Sequence, residues 1–291
     1  MNPEIRNQFG RSLLFIKAGL IFLMLSSLGT WTVGAVMAKG MNDHPLYNLS
    51  VYFYLHFQYN GWFTFAVIGI FLALLERAGY QLEKKNSMLF FILMLASTIF
   101  AYLFSTLYLK PNDSIYAMAF SAALIQIIAV SFFLTIIREA DLNVVFGKTN
   151  ANILKLVFGL YMVKLLLQLL SSFLPMFEIR PFIIGYLHLI LIGFVTLFLL
   201  VAATHLKIMV RPKYYMHGIK VLIAGFILSE SLIFLAGIFV WAGIDNSEKF
   251  TLFLFFASIL MPVGFIIISI SQFRSKVNVV LKPKGKMHSL G

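Results

Sequence analysis

Residues Ile183–Thr204 read IIGYLHLILIGFVTLFLLVAAT and contain no Asp, Glu, Lys or Arg. A helix needs about 20 mostly apolar residues to cross the hydrocarbon core of a bilayer, and this run meets that length. The whole chain is 60% hydrophobic and only 12% charged, whereas a soluble domain carries about 25% charged residues. One water-soluble core cannot bury so much apolar surface. The sequence therefore predicts an integral membrane protein.

Other runs of the chain have the same length and character, and a transmembrane barrel would instead show alternating segments of about ten residues. The predicted fold is all-α, a polytopic membrane helix bundle with eight transmembrane helices. The predicted spans are Ser12–Val36, Val51–Leu75, Ser87–Leu109, Ile115–Ile137, Ile153–Phe177, Ile183–Thr204, Ile219–Gly243 and Thr251–Gln272.

The charged residues predict the orientation of these spans. The loops on the side of the N-terminus hold most of the lysine and arginine residues, and the opposite loops hold Lys39, Lys110, Arg180 and Lys249. Positive loops stay in the cytoplasm. We therefore expect a multi-pass protein of the bacterial inner (plasma) membrane with both termini in the cytoplasm.

The net charge of +12 would attract nucleic acid in a soluble protein. Here the basic residues lie between apolar runs, as membrane topology requires, so we expect no nucleic-acid partner. The expected partners are the lipid bilayer and anionic lipid head groups at the basic loops and the basic tail. The absence of cysteine from the sequence excludes disulfides, thiolate metal sites and cysteine catalysis within this chain.

Two segments of the chain match each other. Residues Tyr54–Phe65 and Tyr186–Leu197 share Tyr, Leu, His, Gly and Thr at the same positions, at the offset of 132 residues that separates His56 from His188. Histidine is rare inside a membrane span, which argues against chance. The match predicts two similarly oriented four-helix repeats, a first half in residues 1–150 and a second in residues 151–291 that ends in a basic cytoplasmic tail. Such parallel repeats are related by an axis along the membrane normal.

The repeated histidines are the first candidates for a site. His56 and His188 would lie at equal depth near the outer face, and Gly61 and Gly193 would permit the close approach of another helix or of a flat cofactor. Two neutral imidazoles could bind a haem iron axially or hold another metal ion. Alternatively, each histidine bonds to a carbonyl or hydroxyl of a neighbouring helix.

Lys164 and Glu230 are the other ionisable groups expected deep in the membrane, near the middle of spans 5 and 7. An unpaired charge at that depth is costly, so we expect the two side chains to pair. The pair would be either a structural ion pair or a proton-transfer site.

The spacing of His56 and His188, each followed five positions later by glycine and set four helices apart, resembles the four-helix modules of haem–copper oxidase subunit I. Ser26–Gly29 and Tyr52–Trp62 are also similar to uncharacterised bacterial membrane proteins related to that subunit. The resemblance implies haem or metal bound by His56 and His188. It does not imply oxygen reduction, because the chain has eight predicted spans rather than twelve and lacks the His-His pair and the His-Pro-Glu-x-x-Tyr motif of the copper site.

Three functions therefore follow from the sequence as hypotheses. The first is a protein similar to cytochrome oxidase subunit I that binds haem or metal for electron transfer or sensing. The second is a proton-coupled small-solute transporter or channel built around Lys164 and Glu230. The third is an accessory membrane scaffold without a cofactor. The sequence also lacks the glycine loops and catalytic motifs of soluble enzymes.

Overall fold

The computed structural model describes residues 10–174, 176–244 and 248–281, with the side chains at 177, 248, 249 and 274–281 excepted. The described residues are 86% helical, and eight of their helices are long and apolar enough to cross a membrane. The prediction of an all-α polytopic membrane protein is confirmed. The helices are α1 (Ser12–Ala38), α2 (Pro45–Arg77), α3 (Lys84–Leu109), α4 (Asp113–Glu139), α5 (Lys148–Leu170), α6 (Arg180–His205), α7 (Tyr215–Trp241) and α8 (Glu248–Leu281).

Capping residues explain where two of these helices differ from the predicted spans. Helix α2 begins at Pro45 rather than at Val51, because proline suits the first helical turn and Nδ1 of His44 accepts a hydrogen bond from the backbone N–H of Leu46 at 3.1 Å. Helix α5 ends at Leu170 rather than at Phe177. The hydroxyl of Ser171 donates to the Gln168 carbonyl there, at 2.7 Å.

The described residues form two compact units, one up to Val201 and one from Ala202 onward. The first unit therefore contains α1–α5 and most of α6. The predicted four-helix halves, residues 1–150 and 151–291, concern internal repetition rather than compactness, and they remain a prediction. The basic residues Lys282, Lys284 and Lys286 of the predicted cytoplasmic tail lie outside the described residues.

A layer of phenylalanine rings joins five helices of the first unit. Phe15, Phe90, Phe133, Phe158 and Phe71 come from α1, α3, α4, α5 and α2 in that order. Successive ring centroids are 4.9, 5.0, 5.1 and 4.9 Å apart, which is within the range of favourable aromatic pairs. Most of these residues lie in the halves of their helices that the charges assign to the cytoplasm. The buried polar residues His56, Lys164 and Gln168 lie in the opposite halves of their helices.

The second unit depends on close contact between α7 and α8. A Cβ atom on Gly264 would lie 2.7 Å from the backbone nitrogen of Leu222 and 2.8 Å from the carbonyl oxygen of Gly218. A Cβ atom on Gly225 would lie 2.7 Å from the Cβ atom of Leu260. Small residues let helix backbones approach closely in lipid, where dispersion forces rather than the hydrophobic effect drive association.

Gly264→Ala is therefore expected to lower the free energy of unfolding by about 1–3 kcal/mol, because backbone atoms cannot move aside as a flexible side chain can. Gly159→Ala on α5 is the matched control, since a Cβ atom there meets nothing within 4 Å. This control should leave stability unchanged or raise it by about 0.5–1 kcal/mol. Unfolding of the purified protein in mixed detergent micelles measures both effects, and equal stability of the two variants would contradict this account of the α7–α8 contact.

Candidate functional site

Both repeated histidines lie directly before a break in the α-helical hydrogen-bond pattern. Helix α2 becomes a π-helix over Phe57–Phe63, immediately after His56. Helix α6 becomes a π-helix over Leu189–Thr196, immediately after His188. The two π-helical segments begin at the same position of the sequence match. Such segments occur mostly as single turns within α-helices and frequently at functional sites.

The repeated threonines help to hold these π-helical segments. The hydroxyl of Thr64 donates to the carbonyl of Tyr59 at 2.8 Å, and that of Thr196 donates to the carbonyl of Leu191 at 2.7 Å. Both bonds reach five residues back, which is the π-helical spacing. By contrast, Thr32 bonds to the carbonyl four residues before it, as is usual for a hydroxyl on an α-helix. The repeated threonine thus has a structural explanation.

Gly61 allows α1 to approach the first π-helical segment. A Cβ atom at this position would lie 2.6 Å from Cγ of Phe22, and the Phe22 ring stacks on Phe57 with centroids 5.6 Å apart. The sequence predicted that this glycine admits either another helix or a flat cofactor. The structure shows the close approach of another helix, α1.

His56 is 3% exposed and joins α2 to α3. The α-helical part of α3 ends at Phe100 and continues as a 3₁₀-helix over Ala101–Leu109. The carbonyls in the last turn of an α-helix lack their usual donors, and Nε2 of His56 lies 2.8 Å from one of them, that of Thr98. A carbonyl only accepts hydrogen bonds, so Nε2 carries the proton and Nδ1 carries the lone pair.

A chain of polar side chains continues from His56 towards α6. The Asn60 amide donates to Nδ1 of His56 at 3.2 Å, which places its oxygen towards Tyr186. The hydroxyl of Tyr186 lies 3.4 Å from this oxygen and 3.1 Å from Oε1 of Gln168. A hydroxyl has one proton, and the shorter distance favours donation to Gln168.

Lys164 on α5 completes the chain. Its ammonium donates to Oε1 of Gln168 at 2.7 Å, and its nitrogen lies 5.8 and 5.3 Å from the ring centroids of Tyr161 and Tyr186. Only 1% of the residue is exposed. Lys164 lies six residues before the end of α5, or about 9 Å along the helix axis. The sequence placed it near the middle of the span, and the structure places it closer to the end of the helix.

We call Lys164, Gln168, Tyr186, Asn60 and His56 the polar chain. Sequence reasoning identified His56 and Lys164 as site candidates, but it did not connect them. Gln168 and Tyr186 were missed as partners, although Lys164 and Gln168 are four residues apart on one helix and therefore neighbours on its surface.

The other two predicted site residues lie elsewhere in the structure. His188 is partly exposed and precedes the second π-helical segment. Glu230 is 6% exposed on α7, in the second unit. The pairing of Lys164 with Glu230 remains a prediction.

A haem iron or another metal ion would need an available lone pair on His56. Nε2 holds a proton directed at the Thr98 carbonyl, and the lone pair of Nδ1 accepts from Asn60. His56 in this arrangement does not fit an axial ligand. The described residues also contain no group of three or more His, Cys, Asp or Glu side chains that could hold a metal ion.

Comparison with family models, with curated proteins and with solved structures finds no match to this chain. The resemblance to haem–copper oxidase subunit I therefore remains a prediction from the residues of spans 1, 2 and 6.

Thr64→Val tests the account of the π-helical segment. Valine keeps the shape of threonine but removes the hydroxyl that bonds to Tyr59, and we expect a loss of about 1 kcal/mol in unfolding free energy. Thr64→Ser restores a hydroxyl and should recover most of that loss. The control is Thr135→Val, because Thr135 bonds three residues back on the exposed face of α4. Equal stability of Thr64→Val and the wild type in mixed micelles would refute this role.

Proposed function

We propose that this integral membrane protein is a proton-coupled small-solute transporter in which Lys164 carries the coupling proton. One observation carries the proposal. A lysine that is 1% exposed lies within a predicted span, and its hydrogen bond goes to the neutral amide of Gln168. Ionisable groups at such positions are costly and commonly mark proton or ion pathways.

The chemistry of lysine suits a proton carrier better than a fixed charge. An ammonium group can release its proton, whereas the guanidinium of arginine stays charged in proteins. The neighbours of Lys164 are an amide oxygen and two tyrosine rings. These groups accept a hydrogen bond from the ammonium or face its charge.

The rest of the polar chain orients this group. Gln168 accepts from the hydroxyl of Tyr186, whose oxygen lies 3.4 Å from that of Asn60, and His56 fixes Asn60 by accepting from its amide. Amide side chains do not pass protons readily, so their role is to position the hydroxyl of Tyr186 and the Lys164 ammonium. We propose that motion of α5 or α6 relative to α2 exposes Lys164 to water.

The membrane setting of the proposal follows from the charge pattern. We propose the bacterial inner membrane, cytoplasmic termini, and anionic lipid head groups against the basic loops. The α6–α7 loop contains Lys207, Arg211 and Lys213 and supports this orientation.

Replacing Lys164 tests the transport proposal. Purified protein is placed in liposomes that contain a pH-sensitive dye, and an inward proton gradient is applied with one class of solute at a time: small anions, sugars or amino acids. At least one class should support proton entry by the wild type. Lys164→Met should slow this entry at least about tenfold, as should Lys164→Arg, because the guanidinium keeps its proton.

Lys155→Met is the matched control, because Lys155 is an exposed residue of the same helix, and it should transport as the wild type does. Proton entry by Lys164→Met at the rate of the wild type would overturn the proposal. So would the absence of proton entry by the wild type with every class of solute.

Haem binding by His56 and His188 is the second candidate function. The observation that favours it is the matched position of both histidines, each directly before a π-helical segment. It requires His56 to give up its hydrogen bonds to Thr98 and Asn60. This hypothesis predicts a Soret band in a reduced-minus-oxidised spectrum of the purified protein and its loss in His56→Ala and His188→Ala. The absence of both a Soret band and bound metal would exclude it.

A further inference from the structure

The surroundings of Lys164 contain more hydrogen-bond donors than acceptors. Tyr161, Lys164 and Gln168 follow one another at spacings of three and four residues on α5, which places them on one face of the helix. Their exposed fractions are 2%, 1% and 5%, so bulk water does not satisfy them.

Among the side chains of Tyr161, Lys164 and Gln168, the atom that accepts hydrogen bonds from described residues is Oε1 of Gln168. It accepts from the Lys164 ammonium at 2.7 Å and lies 3.1 Å from the Tyr186 hydroxyl. An amide oxygen has two lone pairs, so these two donors fill it. The amide nitrogen of Gln168 and the hydroxyl of Tyr161 have no hydrogen-bond partner among the described residues. Buried donors of this kind call for an explanation, because leaving them unsatisfied is costly.

We infer that Tyr161, Lys164 and Gln168 form a binding site for a small inorganic monoanion of about the size of a halide. Such an ion would accept hydrogen bonds from the unpartnered donors and would place a negative charge beside the ammonium. The Lys164 ammonium has no lone pair and repels a metal cation, which would need oxygen or nitrogen lone pairs. The near-complete burial of the three side chains excludes a bulky organic anion.

This inference rests on the proposed function and names its substrate class. One anion bound beside a protonated Lys164 makes a neutral pair, and a neutral pair is far cheaper to hold within the membrane than either charge alone. The transported unit is then one proton together with one anion, so a cycle moves no net charge.

Anion binding is measured without a membrane or a proton gradient, so its outcome is independent of the transport assay. The full-length protein in detergent is titrated with sodium chloride at constant ionic strength, with sodium gluconate as the balancing salt. Binding is followed by the melting temperature and by the line width of the chloride NMR signal. Chloride should stabilise the wild type in a saturable manner, whereas gluconate is too large to bind.

The variants assign the effect to this site. Lys164→Met should abolish the chloride dependence. Tyr161→Phe keeps the ring and removes one donor, so it should weaken chloride binding about three- to tenfold, and it keeps the test valid if Lys164→Met does not fold. Lys155→Met and Tyr116→Phe are the controls, because one is exposed on α5 and the other alters a tyrosine of α4. Both controls should bind as the wild type does.

Several results would overturn the inference. Stabilisation of the wild type that is the same in chloride and gluconate would mean that water satisfies these donors. Unchanged chloride binding by Tyr161→Phe or Lys164→Met would place the ion elsewhere. If Glu230→Gln created chloride binding that the wild type lacks, Glu230 would be the counter-charge of Lys164 and the anion site would be refuted. Chloride binding without proton entry in liposomes would overturn only the transport proposal.

Discussion

In the hydrocarbon of a membrane, every polar group must find its partner within the protein. This constraint makes the spans helical, and it also explains where they are irregular. The π-helical segment of α2 shifts the backbone hydrogen bonds by one residue, and the Thr64 hydroxyl bonds to the Tyr59 carbonyl within that segment. The change of α3 from α- to 3₁₀-helix frees carbonyls, and His56 donates to the one of Thr98. Each irregularity is matched by a polar side chain.

The same constraint applies to the buried ammonium of Lys164, whose polar neighbours must also find partners within the protein. The phenylalanine layer packs five helices of the first unit together through aromatic contacts, while the polar chain links α3, α2, α6 and α5 through hydrogen bonds. Within that chain the groups near His56 are paired donor to acceptor. Around Lys164 the pairing is incomplete, because donors of Gln168 and Tyr161 find no partner in the described part of the chain. These donors beside a buried ammonium are the observation on which the proposed anion site rests.

The repeated histidines suggested a ligand site, but the hydrogen bond from His56 to the Thr98 carbonyl connects two helices instead. Their repetition with Gly and Thr is real in the structure, since both precede π-helical segments at matching positions. The pattern is explained in part by backbone geometry, because the threonines hold the π-helical turns and Gly61 admits Phe22. His56 acts as a connector between helices, which is the structural alternative that its position in a span left open. A ligand role would require this connection to break.

The sequence by itself determined the class of fold and the number of spans, because hydrophobic length and charge in loops depend on local composition. It also located His56, Lys164 and the repeated threonine, since polar residues are rare within apolar runs. Only the tertiary structure decided that Lys164 is linked through Gln168, Tyr186 and Asn60 to His56. Those contacts join α2, α5 and α6, and their existence depends on helix rotation. One extra residue in a π-helical turn rotates the following side chains by about 100° around the helix axis. The apolar composition of a span does not reveal that rotation.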